Sequence, residues 1–176
     1  MKRSNTLRIT YMAICLAIGL VLPFVTGQIP TIGKMLSPMH IPVFICGMVL
    51  GPLYGGILGL VLPLLRSVIF GMPAIMPDAP AMALELMTYG ILAGWLVRLL
   101  PRKSLSVFLA LVGAMLGGRV VWGVARLLLT VYTGEPFTLN MFLAGAFVNA
   151  VPGIILHLIL VPAIVIALRR ARLTDN

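Results

Sequence analysis

Acidic side chains are nearly missing. Four aspartates and glutamates stand against thirteen lysines and arginines. Charged residues make up 10% of the chain, where a soluble domain carries about 25%. That shortage excludes an ordinary soluble domain. The 61% hydrophobic content and a mean hydropathy of +1.13 point to an integral membrane protein. Motifs for chemistry are missing too. There is no G-x-x-x-x-G-K-[ST] to cradle ATP phosphates, no H-E-x-x-H and no G-x-S-x-G. Cysteine is scarce, and Cys15 and Cys46 both lie in apolar runs, where they read as small buried hydrophobes. No Cys/His cluster has metal spacing. No enzyme, cofactor or metal site is expected. The two halves show no clear internal repetition, which many secondary transporters have.

What is present is a series of apolar runs. At 176 residues the chain has room for about six spans in one domain covering 1–176, and little else. Span one is expected over Leu7–Thr26, followed by a loop over Gly27–His40. Span two covers Ile41–Leu50, short enough that it could begin nearer Met35, and Gly51-Pro52 is a turn into span three, Leu53–Phe70. The proline-rich stretch Gly71–Pro80, with Asp78, reads as a surface loop before span four, Ala81–Leu99. Span five covers Leu105–Tyr132 and span six Leu139–Leu168.

Basic residues cluster at three places: Lys2, Arg3 and Arg8; Arg98, Arg102 and Lys103; Arg169, Arg170 and Arg172. With six spans all three fall on one face, which the positive-inside rule makes cytoplasmic, together with both termini. The opposite loops carry only Lys34, Asp78 and Glu135. Basic flanks of this kind meet membrane lipid, and no nucleic-acid partner is expected. Glycines four apart line spans two to five: Gly47, Gly51, Gly55 and Gly59, then Gly90 and Gly94, then Gly113 and Gly117. Small residues at that spacing let helices approach closely in lipid.

Four charges interrupt the spans: Arg66, Glu85, Arg119 and Arg126. A charge at the bilayer centre costs about 2.5–3.5 kcal/mol on the mildest scale, so such residues face the bundle or a cavity. Helix rise puts Arg66, Glu85 and Arg126 in the outer half and Arg119 near mid-membrane. Trp122 follows Arg119 by three residues, Tyr89 follows Glu85 by four, and Asn149 lies below the outer rim of span six. These seven residues form the expected binding pocket. Three arginines against one glutamate give it a positive excess, and arginine forks match carboxylate or phosphate. The competing reading has Glu85 locking helices by pairing with Arg66 or Arg126, and His157 bridging helices on the inner half.

Particular runs carry a family likeness. Pro38-Met39-His40-Ile41-Pro42-Val43, Gly51-Pro52-Leu53-Tyr54-Gly55, Pro63-Leu64-Leu65 and Ala83-Leu84-Glu85-Leu86 with Tyr89-Gly90, together with Ala13-x-x-x-Ala17 in span one, resemble the substrate-binding S component of an energy-coupling factor (ECF) vitamin transporter. The resemblance implies a six-helix membrane bundle in a prokaryotic plasma membrane. It implies a vitamin pocket near the outer surface, capped by the loop between spans one and two. It also implies docking through Ala13 and Ala17 onto a coupling subunit that carries two ATP-binding subunits. Under that reading the arginine excess favours pantothenate. A neutral pyridoxine-, hydroxymethylpyrimidine- or flavin-like ring fits if Glu85 cancels Arg66 and rings meet Trp122 or Tyr89. The rival class is a self-sufficient carrier using Glu85 as a proton site.

Overall fold

The computed structural model describes residues 5–26, 35–101, 103–134 and 136–171. Lys2, Arg3, Lys34, Arg102, Glu135 and Arg172 lie outside them. The described chain is all helix and turn. Helix α1 covers Asn5–Val21 and runs into a 3-10 turn, Leu22–Thr26. Helix α2 covers His40–Leu50, α3 Pro52–Phe70, α4 Asp78–Leu99 and α5 Ser104–Thr133. A short α6, Leu139–Leu143, passes through a π turn, Ala144–Val148, into α7, Val151–Arg170. Among the described residues, five segments are long and apolar enough to cross a membrane: Asn5–Phe24, Pro52–Phe70, Asp78–Leu99, Ser104–Tyr132 and Leu139–Arg170. Helix α2 is the sixth apolar helix and is shorter.

Sequence punctuation sets the breaks. Gly51 takes φ 110°, a left-handed-side conformation open to glycine, and ends α2. Pro52 then opens α3, where its missing N–H goes unused. Thr138 caps α6 by accepting from the Met141 N–H at 3.3 Å. Span four starts three residues earlier than the sequence suggests. Asp78 is its first residue, because Pro80 falls in the first turn, where a helix tolerates proline.

Helix α2 is the centre of the bundle. Every residue of it except Ile45 is buried, and it packs on α1, α3, α4 and α7. Its partners come unusually close because glycines meet backbone to backbone. A Cβ on Gly55 would stand 2.5 Å from Gly47 Cα and 2.8 Å from the Gly90 carbonyl oxygen. A Cβ on Gly90 would run into the Gly55 carbonyl, and one on Gly94 would lie 2.6 Å from Pro52 N. Without a hydrophobic drive between helices in lipid, such close contact supplies the adhesion. The small-residue spacing is thus intramolecular packing.

Side-chain contacts fix which ends go together. At one end Arg8 lies over the Tyr54 ring at 5.9 Å, and Arg98 donates to the Leu50 carbonyl at 3.3 Å. This is the end that carries the basic residues Arg8 and Arg98. At the other end Arg66 meets α1, and Arg126 meets the start of α4.

The glycine contact sets a test. Gly90→Ala should destabilise the bundle by about 1–3 kcal/mol or more, because the obstructing atoms are backbone. Gly71→Ala, at φ 68° in open space, should cost only about 1–2 kcal/mol of backbone strain. Thermal unfolding of both variants in the same detergent checks the order.

Candidate functional site

The charges on α4 and α5 form a ladder. Asp78 and Glu85 are seven apart on α4, and Arg126 and Arg119 are seven apart on α5. Two turns of helix bring each pair onto one face. The helices run antiparallel, so Arg126 Nη1 meets Asp78 Oδ1 at 2.8 Å and Arg119 Nη1 meets Glu85 Oε1 at 2.9 Å. The rungs are about 10 Å apart in depth. Burial differs sharply between them. Side-chain exposure is 18% and 31% for Arg126 and Asp78, against 13% and 2% for Arg119 and Glu85.

Tyr89 completes the inner rung. Its hydroxyl donates to Glu85 Oε1 at 2.6 Å. Room for the ring comes from Gly118, where a Cβ would collide with it. Helical spacing explains the trio: Glu85 and Tyr89 are one turn apart on α4, and Arg119 faces them from α5. Beside this rung stand two histidines. The His40 ring lies 5.5 Å from Tyr89 and 5.8 Å from His157. Two buried polar atoms near this layer have no hydrogen-bond partner among the described residues: Arg119 Nε and His40 Nε2. One is a donor. The other is an acceptor in the neutral ring, because His40 uses its Nδ1–H on the Ser37 carbonyl at 3.0 Å.

The outer rung opens onto an aromatic cluster. Arg126 lies over the Phe137 ring at 5.7 Å, and Trp122 meets Phe137 edge-on at 5.7 Å. Trp122 also stacks on Phe142 at 6.2 Å. Gly123 leaves space for Phe142, and Gly145 lies under Trp122, so small residues seat the large rings.

Glu85, Tyr89 and Arg119 therefore meet directly, with Arg126 and Trp122 one to two turns outward. Arg66 does not join them. It is buried, donates to the Leu20 carbonyl at 2.7 Å, and lies between Phe24 and Phe70 at 5.5 and 5.3 Å. The last carbonyls of a helix lack intrahelical partners and carry partial negative charge, so Arg66 serves as the cap of α1. Glu85 accordingly pairs with Arg119, not with Arg66 or Arg126. Asn149 follows the π turn with its backbone N–H on Ala144 O at 2.8 Å. Its side chain is exposed and makes no hydrogen bond to the ladder among the described residues.

Asp78 is the residue that sequence reasoning missed. Its seven-residue offset from Glu85 mirrors that of Arg119 and Arg126, and this was the available signal. His157 does bridge helices, but at the level of the inner rung. Ala13 and Ala17 face outward on α1, beside outward Ile14 and Ile18. No group of three metal-ligating side chains converges among the described residues.

A family model described as "ECF transporter, substrate-specific component" matches residues 7–165. No curated protein matches the chain. No solved structure matches it either.

The inner rung sets a stability test. Breaking a buried pair typically costs about 3–5 kcal/mol, because the remaining charge is stranded. Glu85→Leu and Arg119→Met should each fall in that range. The double variant should be much less destabilised than the sum, as a thermal-unfolding double-mutant cycle would show. Additive effects would mean that the two side chains act independently.

Proposed function

Since the chain belongs to the family of ECF-transporter substrate-specific components, we propose that it binds a small water-soluble vitamin from the outer side at the α4–α5 ladder. It then docks through α1 on a separate coupling subunit that carries two ATP-binding subunits. The observation that carries this reading is the layer formed by Arg119, Glu85, Tyr89 and His40. Among the described residues it has a buried donor and a buried acceptor without partners, and a buried polar atom left unmatched is costly. A ligand group offering both a donor and an acceptor relieves that cost.

The same geometry revises the choice of vitamin. The preference for pantothenate rests on unpaired arginines. Arg119 and Arg126 each have a carboxylate partner, so the ladder is neutral. A neutral ring of the pyridoxine, hydroxymethylpyrimidine or flavin type is the better match, with Trp122 and Phe142 offering flat faces. Pantothenate stays as the second reading because Asp78 is about one-third exposed (31%). An incoming carboxylate at the outer rung could take its place on Arg126.

The docking reading rests on Ala13 and Ala17, small and outward on a helix whose inner side alone packs on α2 and α3. Ala13→Trp and Ala17→Trp should leave vitamin binding unchanged and abolish ATP-dependent uptake. Retained uptake would move the docking face elsewhere.

The direct test of the substrate is to purify the chain in detergent, denature it and identify released small molecules by mass spectrometry. Titration with riboflavin, pyridoxine, hydroxymethylpyrimidine and pantothenate follows. A neutral ring vitamin is the expected result. Pantothenate would uphold the class and refute the charge argument. An empty protein that binds no vitamin would favour the self-sufficient carrier.

A further inference from the structure

The chain reaches α2 through a buried turn, Ser37–Met39. Helix α2 has 11 residues, which span about 16 Å of a hydrocarbon core about 30 Å thick. Its start at His40 is level with the inner rung, as the 5.5 Å contact with Tyr89 requires. The residues just before it, Ser37–Met39, are buried as well. Non-helical backbone at such depth survives only where protein satisfies it. Ser37 is also held at φ 44°, a conformation that non-glycine residues rarely take.

Both histidines of the chain converge on this point. His40 Nδ1 lies 3.0 Å from the Ser37 carbonyl oxygen, and His157 Nε2 lies 3.2 Å from the same oxygen. A carbonyl only accepts, so each of these nitrogens carries a proton. One turn before His157 stands Gly153. A Cβ there would lie 2.5 Å from the Met35 carbonyl oxygen and 3.0 Å from that of Leu36. The Gly153/His157 face of α7 is thus a cradle shaped to the backbone of residues 35–37. From it a continuous path leads to the ladder: His157 to Ser37, Ser37 to His40, His40 against Tyr89, and Tyr89 to Glu85.

We propose that Gly153 and His157 are positioning residues for the substrate site, holding segment 35–39 against the inner rung so that His40 and Tyr89 stand where the substrate meets them. This rests on the reading of the ladder as the substrate site. A purely structural bridge and a positioning bridge predict different binding curves. If the cradle only holds the fold together, its loss lowers the fraction of molecules that bind and leaves their affinity alone. If it positions the site, affinity falls while every molecule still binds.

The experiment uses the purified full chain in detergent and whichever of riboflavin, pyridoxine, hydroxymethylpyrimidine and pantothenate the unaltered protein binds. His157→Phe keeps a ring and removes the donor. His157→Gln places an amide N–H near the position of Nε2, whereas His157→Asn is too short to reach the carbonyl. The expected result is a Kd raised at least about tenfold for Phe and Asn, as for a buried hydrogen bond left unmade. Gln should stay within about threefold of the unaltered protein, and stoichiometry should be unchanged throughout. Gly153→Ala should raise Kd with His157 intact. An unchanged Kd with fewer binding-competent molecules overturns the proposal, and so does a Gln variant as poor as Phe. Both leave the substrate-site reading standing. If the unaltered protein binds none of the four, that reading fails and the proposal falls with it.

Discussion

A charge inside hydrocarbon must meet an opposite charge or a strong dipole, and the outer half of this bundle is arranged around that demand. Arg119 meets Glu85, Arg126 meets Asp78, and Arg66 meets the open end of α1. Each solution fixes a pair of neighbouring elements. The first two lock the register of α4 against α5, because a slip by one residue would separate both rungs together. The third ties α3 to the last turn of α1. The charges thus act as alignment marks between helices that greasy packing alone would let slide.

Close glycine packing makes the marks usable. With α2, α3 and α4 in backbone contact at Gly47, Gly55 and Gly90, a short central helix can reach α4 with Phe44 and His40. The Phe44 ring lies 4.8 Å from Tyr89 and 5.7 Å from His157. Larger residues at the glycines would push α4 outward and strand Tyr89 from the histidines. The polar layer therefore depends on residues with no polar side chain of their own.

Much of this was legible in the sequence, because the signals were local. Spans, turns and the basic face follow from hydropathy, Gly51-Pro52 and the arginine clusters. Helical spacing puts Glu85 and Tyr89 on one face of α4, but the sequence reading pairs Glu85 with Arg66 or Arg126, and its contact with Arg119 comes from the structure. What escaped depends on which helix stands next to which. Arg66 carries the same charge as Arg119 and lies at a plausible depth, yet it points at α1, and nothing in its own neighbourhood reveals that. Asp78 was hidden by the prolines around it, which suggest a loop although a helix tolerates Pro80 in its first turn. The convergence of His40 and His157 on one carbonyl spans 120 residues of sequence, beyond the reach of any periodicity.

The self-neutral rungs have an electrical consequence. Moving one net charge through a membrane potential takes about 2.3 kcal/mol per 100 mV. Four formally charged side chains lie on the ladder, but each cation travels with its anion. A rearrangement that tilts or rotates α4 and α5 as a unit carries no net charge from these residues across the field. The ladder thus adds no voltage dependence of its own to a reorientation, and the interior charge left uncompensated by a carboxylate among the described residues of these helices is that of Arg66, held by the Leu20 carbonyl.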